Sequence, residues 1–119
     1  MGGRVQRWRI LSVSQSHINN LYLKMAHLTT LPASIGHLTT LQILDLSGNK
    51  LTSLPESIGH LTNLWELYLY KNRVTTLPES IRQLTALWRL DLAGNRSTTF
   101  PEDLRDKASC QAFLRNFRN

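Results

Sequence analysis

The sequence predicts an α/β fold, a right-handed solenoid with a short parallel β-sheet on its concave face. Three observations carry that prediction. The chain repeats itself every 23 residues, with blocks starting at Ile18, Leu41, Leu64 and Leu87. Within a block leucines stand two apart, as Leu44 and Leu46 do, which is the spacing of side chains on one face of a strand. Each block then carries a proline, at Pro32, Pro55, Pro78 and Pro101. In the first three, isoleucine and leucine follow at three-residue steps, which suits one helical turn.

The blocks read INNLYLKMAHLTTLPASIGHLTT from Ile18, LQILDLSGNKLTSLPESIGHLTN from Leu41 and LWELYLYKNRVTTLPESIRQLTA from Leu64, and the fourth opens LWRLDLAGNRSTTFPEDL at Leu87. One coil of this length cannot bury its own leucines, so neighbouring coils must cover them. Asn49, Asn72 and Asn95 fall at the turn after each strand and are expected to stack into a ladder. Their amides would satisfy backbone groups of adjoining coils, which are costly to bury unpaired. Glu56, Glu79 and Glu102 follow the prolines, where a carboxylate suits the free amides of a starting helix.

The pattern LxxLxLxxNxL with LPxxIxxL behind it resembles the leucine-rich repeat, in the 23-residue form of the Ras-group proteins. The resemblance runs from Ile18 to about Leu104. Such repeats occur in Ras-suppressor-type scaffolds, plant intracellular Ras-group proteins and bacterial proteins. It implies a protein–protein interaction module. The implied partners are a signalling protein such as a small GTPase or, for a bacterial effector, a host protein.

Departures from the pattern mark the ends. Ala26 stands where asparagine belongs, Ser97 where Leu51 and Val74 stand, and Lys107 where Leu61 and Leu84 stand. Terminal repeats commonly degrade in this way. Residues 18–104 therefore read as about four repeats, with residues 1–17 and 105–119 as capping segments. Cys110, Phe113, Leu114 and Phe117 fall at helical spacing and predict an amphipathic capping helix. At the front, Trp8, Ile10, Leu11 and Val13 suggest a strand turned back at Ser14 to His17, while Leu11, Val13 and Ile18 equally fit a degenerate repeat.

At 119 residues the chain has room for one domain, and 41% hydrophobic with 18% charged residues is ordinary for a folded one. No apolar run of about 18 residues exists to span a membrane. Met1 to Arg9 has no apolar run or cleavage site after it, and a lone Cys110 cannot build a disulfide framework. The expected compartment is the cytoplasm, with a secreted effector as the alternative. The net charge of +6 favours acidic surfaces.

In a parallel sheet, residues 23 apart stand in columns roughly 4.8 Å apart. The outward columns are Asn20, Ile43, Glu66, Arg89; then Tyr22, Asp45, Tyr68, Asp91; then Lys24, Ser47, Tyr70, Ala93; then Met25, Gly48, Lys71, Gly94. His27, Lys50, Arg73 and Arg96 make a basic rim just past the asparagines. The expected partner site is Tyr22, Asp45, Glu66, Tyr68, Tyr70, Lys71, Arg89 and Asp91, centred on Tyr68 and Tyr70, with that rim beside it. Exposed tyrosines on a rigid sheet are the amphipathic anchors that interfaces favour. Trp65 and Trp88 share a column and are expected to lie against each other.

Catalytic chemistry finds no support. There is no HExxH, no cysteine pair and no GxSxG elbow, so no catalytic residue, metal site or cofactor is expected. His37 and His60 are equivalent convex positions, and Gly36, Gly48, Gly59 and Gly94 read as repeat turns rather than a phosphate loop. Nucleic acid is disfavoured, because Asp45, Glu66 and Asp91 interrupt any basic track. A second functional reading follows from the small number of repeats. The chain would then be a spacer or scaffold portion of a larger signalling or effector protein, or an engineered solenoid.

Overall fold

Each of the first three 23-residue blocks folds as one coil of a strand, a tight turn, a crossing segment and one 3-10 helix. The structure is a computed structural model and describes residues 18–96, 100–101 and 103–117. The segment 1–17, and with it the expected front strand or degenerate repeat, lies outside the described residues, as do Ser97, Glu102 and Arg118.

The strands are β1 (Asn20–Tyr22), β2 (Ile43–Asp45), β3 (Glu66–Tyr68), β4 (Arg89–Asp91) and β5 (Asp103–Leu104), in that order across one sheet. The first four pair in parallel with a constant register, so Leu21, Leu44, Leu67 and Leu90 stand in one row and Tyr22, Asp45, Tyr68 and Asp91 in the next. The leucine row faces inward and is buried in every coil. The core continues through Leu46, Leu51, Ile58, Leu61 and Leu64 and their equivalents one coil away, nearly all shut off from water. Burying a leucine contributes roughly 1.5–3 kcal/mol, and only the stack provides the cover.

On the convex side the 3-10 helices run Ala33–His37, Glu56–His60 and Glu79–Gln83. Each starts after a proline in extended conformation, whose missing N–H costs nothing at a helix start. The bonds are tight i→i+3 ones, Ile58 N–H to Pro55 O at 3.0 Å and Leu61 N–H to Ile58 O at 3.1 Å. Isoleucine and leucine three apart therefore stack on the inner side of one turn. Ser57 and Ser80 hydroxyls donate to the Ala33 and Glu56 carbonyls of the preceding coil, at 2.7 and 2.6 Å.

Glycine has two different reasons here, of which the sequence showed one. Gly48 and Gly94 sit at turns with φ of 72° and 75°. Gly36 and Gly59, also read as turns, lie inside the 3-10 helices, where coils approach closely. A β-carbon on Gly59 would stand 2.6 Å from Ser80 Cβ and 2.7 Å from Ser80 O. Turn geometry does not demand glycine at every equivalent position, since Met25 and Lys71 hold φ of 54° and 56° in the same column.

The asparagines form the expected ladder. Asn49 Oδ1 accepts from the amides of Ala26 and Leu28 at 3.0 and 2.9 Å, and its Nδ2 donates to Leu46 O and Leu23 O. Asn72 and Asn95 repeat this one coil on, to Leu51 N–H and Val74 N–H. Ala26 has no side-chain amide to add a rung, yet its backbone N–H is served by the next one.

The fourth block departs from the others. Where a fourth convex helix would begin, β5 instead turns back antiparallel onto β4, pairing Leu104 with Leu90 and Asp103 with Asp91. Pairing there satisfies the open edge of β4. Helix α1 (Lys107–Asn116) follows, capped by Asp106, whose carboxylate accepts from Ser109 N–H at 2.8 Å. Its Cys110 and Leu114, with Phe117 just beyond, are buried against the last coil. Gln111 Nε2 donates to Leu84 O and Leu87 O, and Arg82 donates to Phe117 O at 2.6 Å. No helix among the described residues is long and apolar enough to cross a membrane.

Candidate functional site

The concave face is built by the outward rows of β1 to β4, and its chemistry is set by which neighbours those rows acquire. At the centre Tyr68 donates its hydroxyl to Glu66 Oε1 at 2.5 Å, and the Arg89 guanidinium lies 5.2 Å from the ring centroid. Arg89 in turn pairs with Asp103 of β5 at 3.2 Å, and Arg105 reaches the same carboxylate at 2.8 Å. Burial, then the hydrogen bond and charge of Glu66, push the Tyr68 phenol up to about 12. Tyr68 is therefore a neutral, half-buried ring fixed by Glu66 and Arg89.

Its companions differ. Tyr70 is 40% exposed with the Lys71 ammonium 5.3 Å from its ring centroid, and Tyr22 is 58% exposed. Asp45 and Asp91 are half-buried and accept from the amides two residues on, Ser47 and Ala93, at 3.0 and 3.1 Å. Burial raises the Asp91 carboxyl from its ordinary range, opposed by the Ala93 amide. Between them lies a hollow of about 350 Å³ walled by Asp45, Tyr68, Tyr70, Lys71, Asp91 and the exposed Met25.

The structure thus brings Asp45, Tyr68, Tyr70, Lys71 and Asp91 around one hollow. It places Glu66 and Arg89 one row aside as their supports, and leaves Tyr22 at the β1 end. The rim residues His27, Lys50, Arg73 and Arg96 are exposed and line a separate trough of about 480 Å³, which Lys71 also borders. Asp103 and Arg105 were not among the residues singled out from the sequence. The signal available was the change from PESI to PEDL in the fourth block, which ends the convex helix and frees Asp103 for the sheet edge.

The tryptophans do not behave as expected. Trp65 and Trp88 are 44% and 38% exposed, and the ring contacts among the described residues are Phe100 with Phe113 and Phe113 with Phe117. The shared column fixes their backbones, with Trp88 N–H donating to Trp65 O at 2.9 Å, but a side chain chooses its rotamer independently of that spacing. Cys110 is fully buried and its thiol is pushed up to about 11, chiefly by burial, which suppresses the nucleophilic thiolate. Among the described residues no three His, Cys, Asp or Glu side chains converge as a metal site would require.

A stack of coils that hides its leucines and offers a continuous outward sheet defines a repeat solenoid, a class whose concave surface serves binding. The chain matches the family model of a leucine-rich repeat region over residues 12–110, and it belongs to the leucine-rich-repeat proteins. Among solved structures it is similar to a leucine-rich-repeat protein of Leptospira interrogans, at 30% identity and a TM-score of 0.65 over 92% of this chain and 30% of that one. It is also similar to the leucine-rich-repeat ectodomain of a receptor kinase from Arabidopsis thaliana, at 35% identity and a TM-score of 0.59 over 65% of this chain and 44% of that one. An internalin from Listeria monocytogenes shares the fold at 20% identity and a TM-score of 0.60, over 70% of this chain and 24% of that one. The chain spans less than half the length of each of these structures. No curated protein matches. Domains of this family are typically non-enzymatic and generally bind proteins.

Proposed function

We propose that this chain is a non-catalytic recognition module that takes a protein partner on its concave sheet and basic rim. The observation that carries the reading is the pairing of a fixed tyrosine with an exposed one. Tyr68 is held in place by Glu66 and Arg89, while Tyr70, two residues on, is 40% exposed beside the same hollow. A ring already ordered before binding loses little conformational freedom when a partner covers it. Asp45, Asp91, Lys71 and Arg89 supply charge of both signs around the rings, which favours a particular orientation of the partner.

The partner classes that family resemblance leaves open are a signalling protein, small GTPases among them, and a host protein met by a bacterial effector. A cytoplasmic setting belongs to the same reading, with a secreted effector as the alternative.

The test is affinity capture with the intact protein against Tyr70→Ala and Tyr68→Phe/Tyr70→Ala variants whose thermal melts are unchanged. Loss of an interface anchor typically costs about 2 kcal/mol or more, so captured partners should dissociate at least tenfold more readily. Partners retained equally by the variants would refute the concave-face reading. They would favour the second one, a spacer or scaffold segment of a longer chain, which the 30% and 44% coverage of the similar structures supports.

A further inference from the structure

We propose that the trough along the basic rim is a binding site for a run of acidic side chains on a protein partner, laid along the solenoid axis. The inference rests on the recognition reading above and names the part of the partner that the rim takes. The trough holds about 480 Å³ and is lined by His27, Lys50, Lys71, Arg73 and Arg96 with asparagines and glycines of the turns, and no carboxylate is part of its lining.

The cations are lined up by the backbone. Lys50 N–H donates to Leu28 O and Arg73 N–H to Leu51 O, both at 2.8 Å, and Arg96 N–H to Val74 O at 3.3 Å. Successive rim residues are thereby held one coil apart, roughly 5 Å. Like charges at that spacing repel, and an acidic neighbour within the fold would relieve them. The described residues supply none. Among the described residues the ion pairs are those of Arg82, Arg89 and Arg105, with Glu79 and Asp103, so Lys50, Arg73 and Arg96 keep their charges for an outside group. The nearest carboxylates on the concave side, Asp45 and Asp91, are turned to the amides of Ser47 and Ala93.

The geometry favours protein over nucleic acid. From Lys50 to Arg96 is two coil steps, on the order of 10 Å, too short to follow a phosphate backbone for more than two or three nucleotides. Beyond the trough lie Asp45, Glu66 and Asp91, which would repel further phosphates. A protein can place acidic groups on the rim and other chemistry over the tyrosines. Carboxylates three or four apart on a helix stand about 5–6 Å from one another, and alternate ones on a strand about 6.7 Å. Long lysine and arginine stems can meet either, so the trough selects a run of charge rather than one secondary structure.

The test uses an end-blocked, fluorescently labelled hexaglutamate peptide, titrated by anisotropy against the whole chain at low and physiological salt. Binding should be salt-sensitive, and Lys50→Glu/Arg73→Glu/Arg96→Glu should weaken it at least about tenfold. The milder Lys50→Gln/Arg73→Gln/Arg96→Gln variant should fall between, with thermal melts confirming that both variants fold. Equal binding by either variant, no binding by the intact chain, or tighter binding of a labelled hexathymidylate would overturn the proposal. If peptide binding ignores the rim while partner capture still needs Tyr70, only this site is lost. If the peptide needs the rim but no partner needs Tyr70, the trough stands and the concave-face reading falls.

Discussion

Arg89 and Asp103, 14 residues apart in the chain, meet at 3.2 Å because the fourth coil reverses into an antiparallel strand. Their side chains are only 26% and 19% exposed, and Arg89 Nε and Asp103 Oδ1 have no hydrogen-bond partner of their own. The pair ties the last parallel strand to the closing strand and also holds the cation over Tyr68.

Removing one member leaves the other charge partly desolvated. Asp103→Ala should therefore destabilise the chain by about 1–3 kcal/mol, read from the midpoint of urea unfolding. Arg105, which is largely exposed, should matter far less, and Arg105→Ala should stay within about 0.5 kcal/mol. Equal effects of the two would contradict the assignment of Asp103 to Arg89.

The asparagine ladder gives a second test. Asn72 is buried, accepts from Leu51 N–H at 3.0 Å and donates to Leu46 O at 2.9 Å and Leu69 O at 3.2 Å. Asn72→Ala strands the Leu51 amide and takes one of two donors from Leu46 O and Leu69 O, which keep Asn49 and Asn95 Nδ2, for an expected loss of about 1–3 kcal/mol in denaturant melts. Asn72→Asp should be no better, because it keeps the acceptor but sets a negative charge against those carbonyls.

Alanine at the two kinds of glycine should separate steric from conformational cost. Gly59→Ala drives a β-carbon into the Ser80 backbone and should cost about 1–3 kcal/mol or more. Gly48→Ala meets the flexible Met25 side chain at 3.0 Å and its backbone nitrogen only at an ordinary 3.6 Å, and should cost about 1 kcal/mol, the price of φ of 72° in an L-residue. Thermal melts in which Gly48→Ala is the worse variant would overturn this ranking.

Tyr68 should report on alkaline pH. Its phenol is raised from 10.0 to about 12, so between those values the unfolded chain gives up a proton that the folded chain retains. The contribution is fully present below pH 10 and is lost as pH rises through about 12. Phenolate absorbance should show a late-titrating tyrosine, absent in Tyr68→Phe and shifted down in Glu66→Gln, where the raising charge is gone although an acceptor oxygen stays. A titration curve that Tyr68→Phe leaves unchanged would count against it.

The stride of 23 made the parallel rows readable in advance, because a constant period forces equivalent residues into register. Leu21, Leu44, Leu67 and Leu90 could be placed inside, and the Tyr22 and Glu66 rows outside, without coordinates. Proline with isoleucine three residues on announced the convex turns for the same reason, since local spacing is all that one turn of helix requires.

Contacts that break the period were invisible. Nothing in the period of the repeat tells Asp103 to turn back beside Arg89, because that contact exists only once β4 has an edge to cover. The closeness of Gly59 to Ser80 likewise depends on how whole coils nest. Periodicity specifies backbone rows, whereas rotamers, edge pairing and unmatched charge depend on surroundings that assemble only when distant segments meet. The lining of the rim trough is of this kind: four basic letters 23 apart give the column, and only packing reveals that no carboxylate among the described residues lines it.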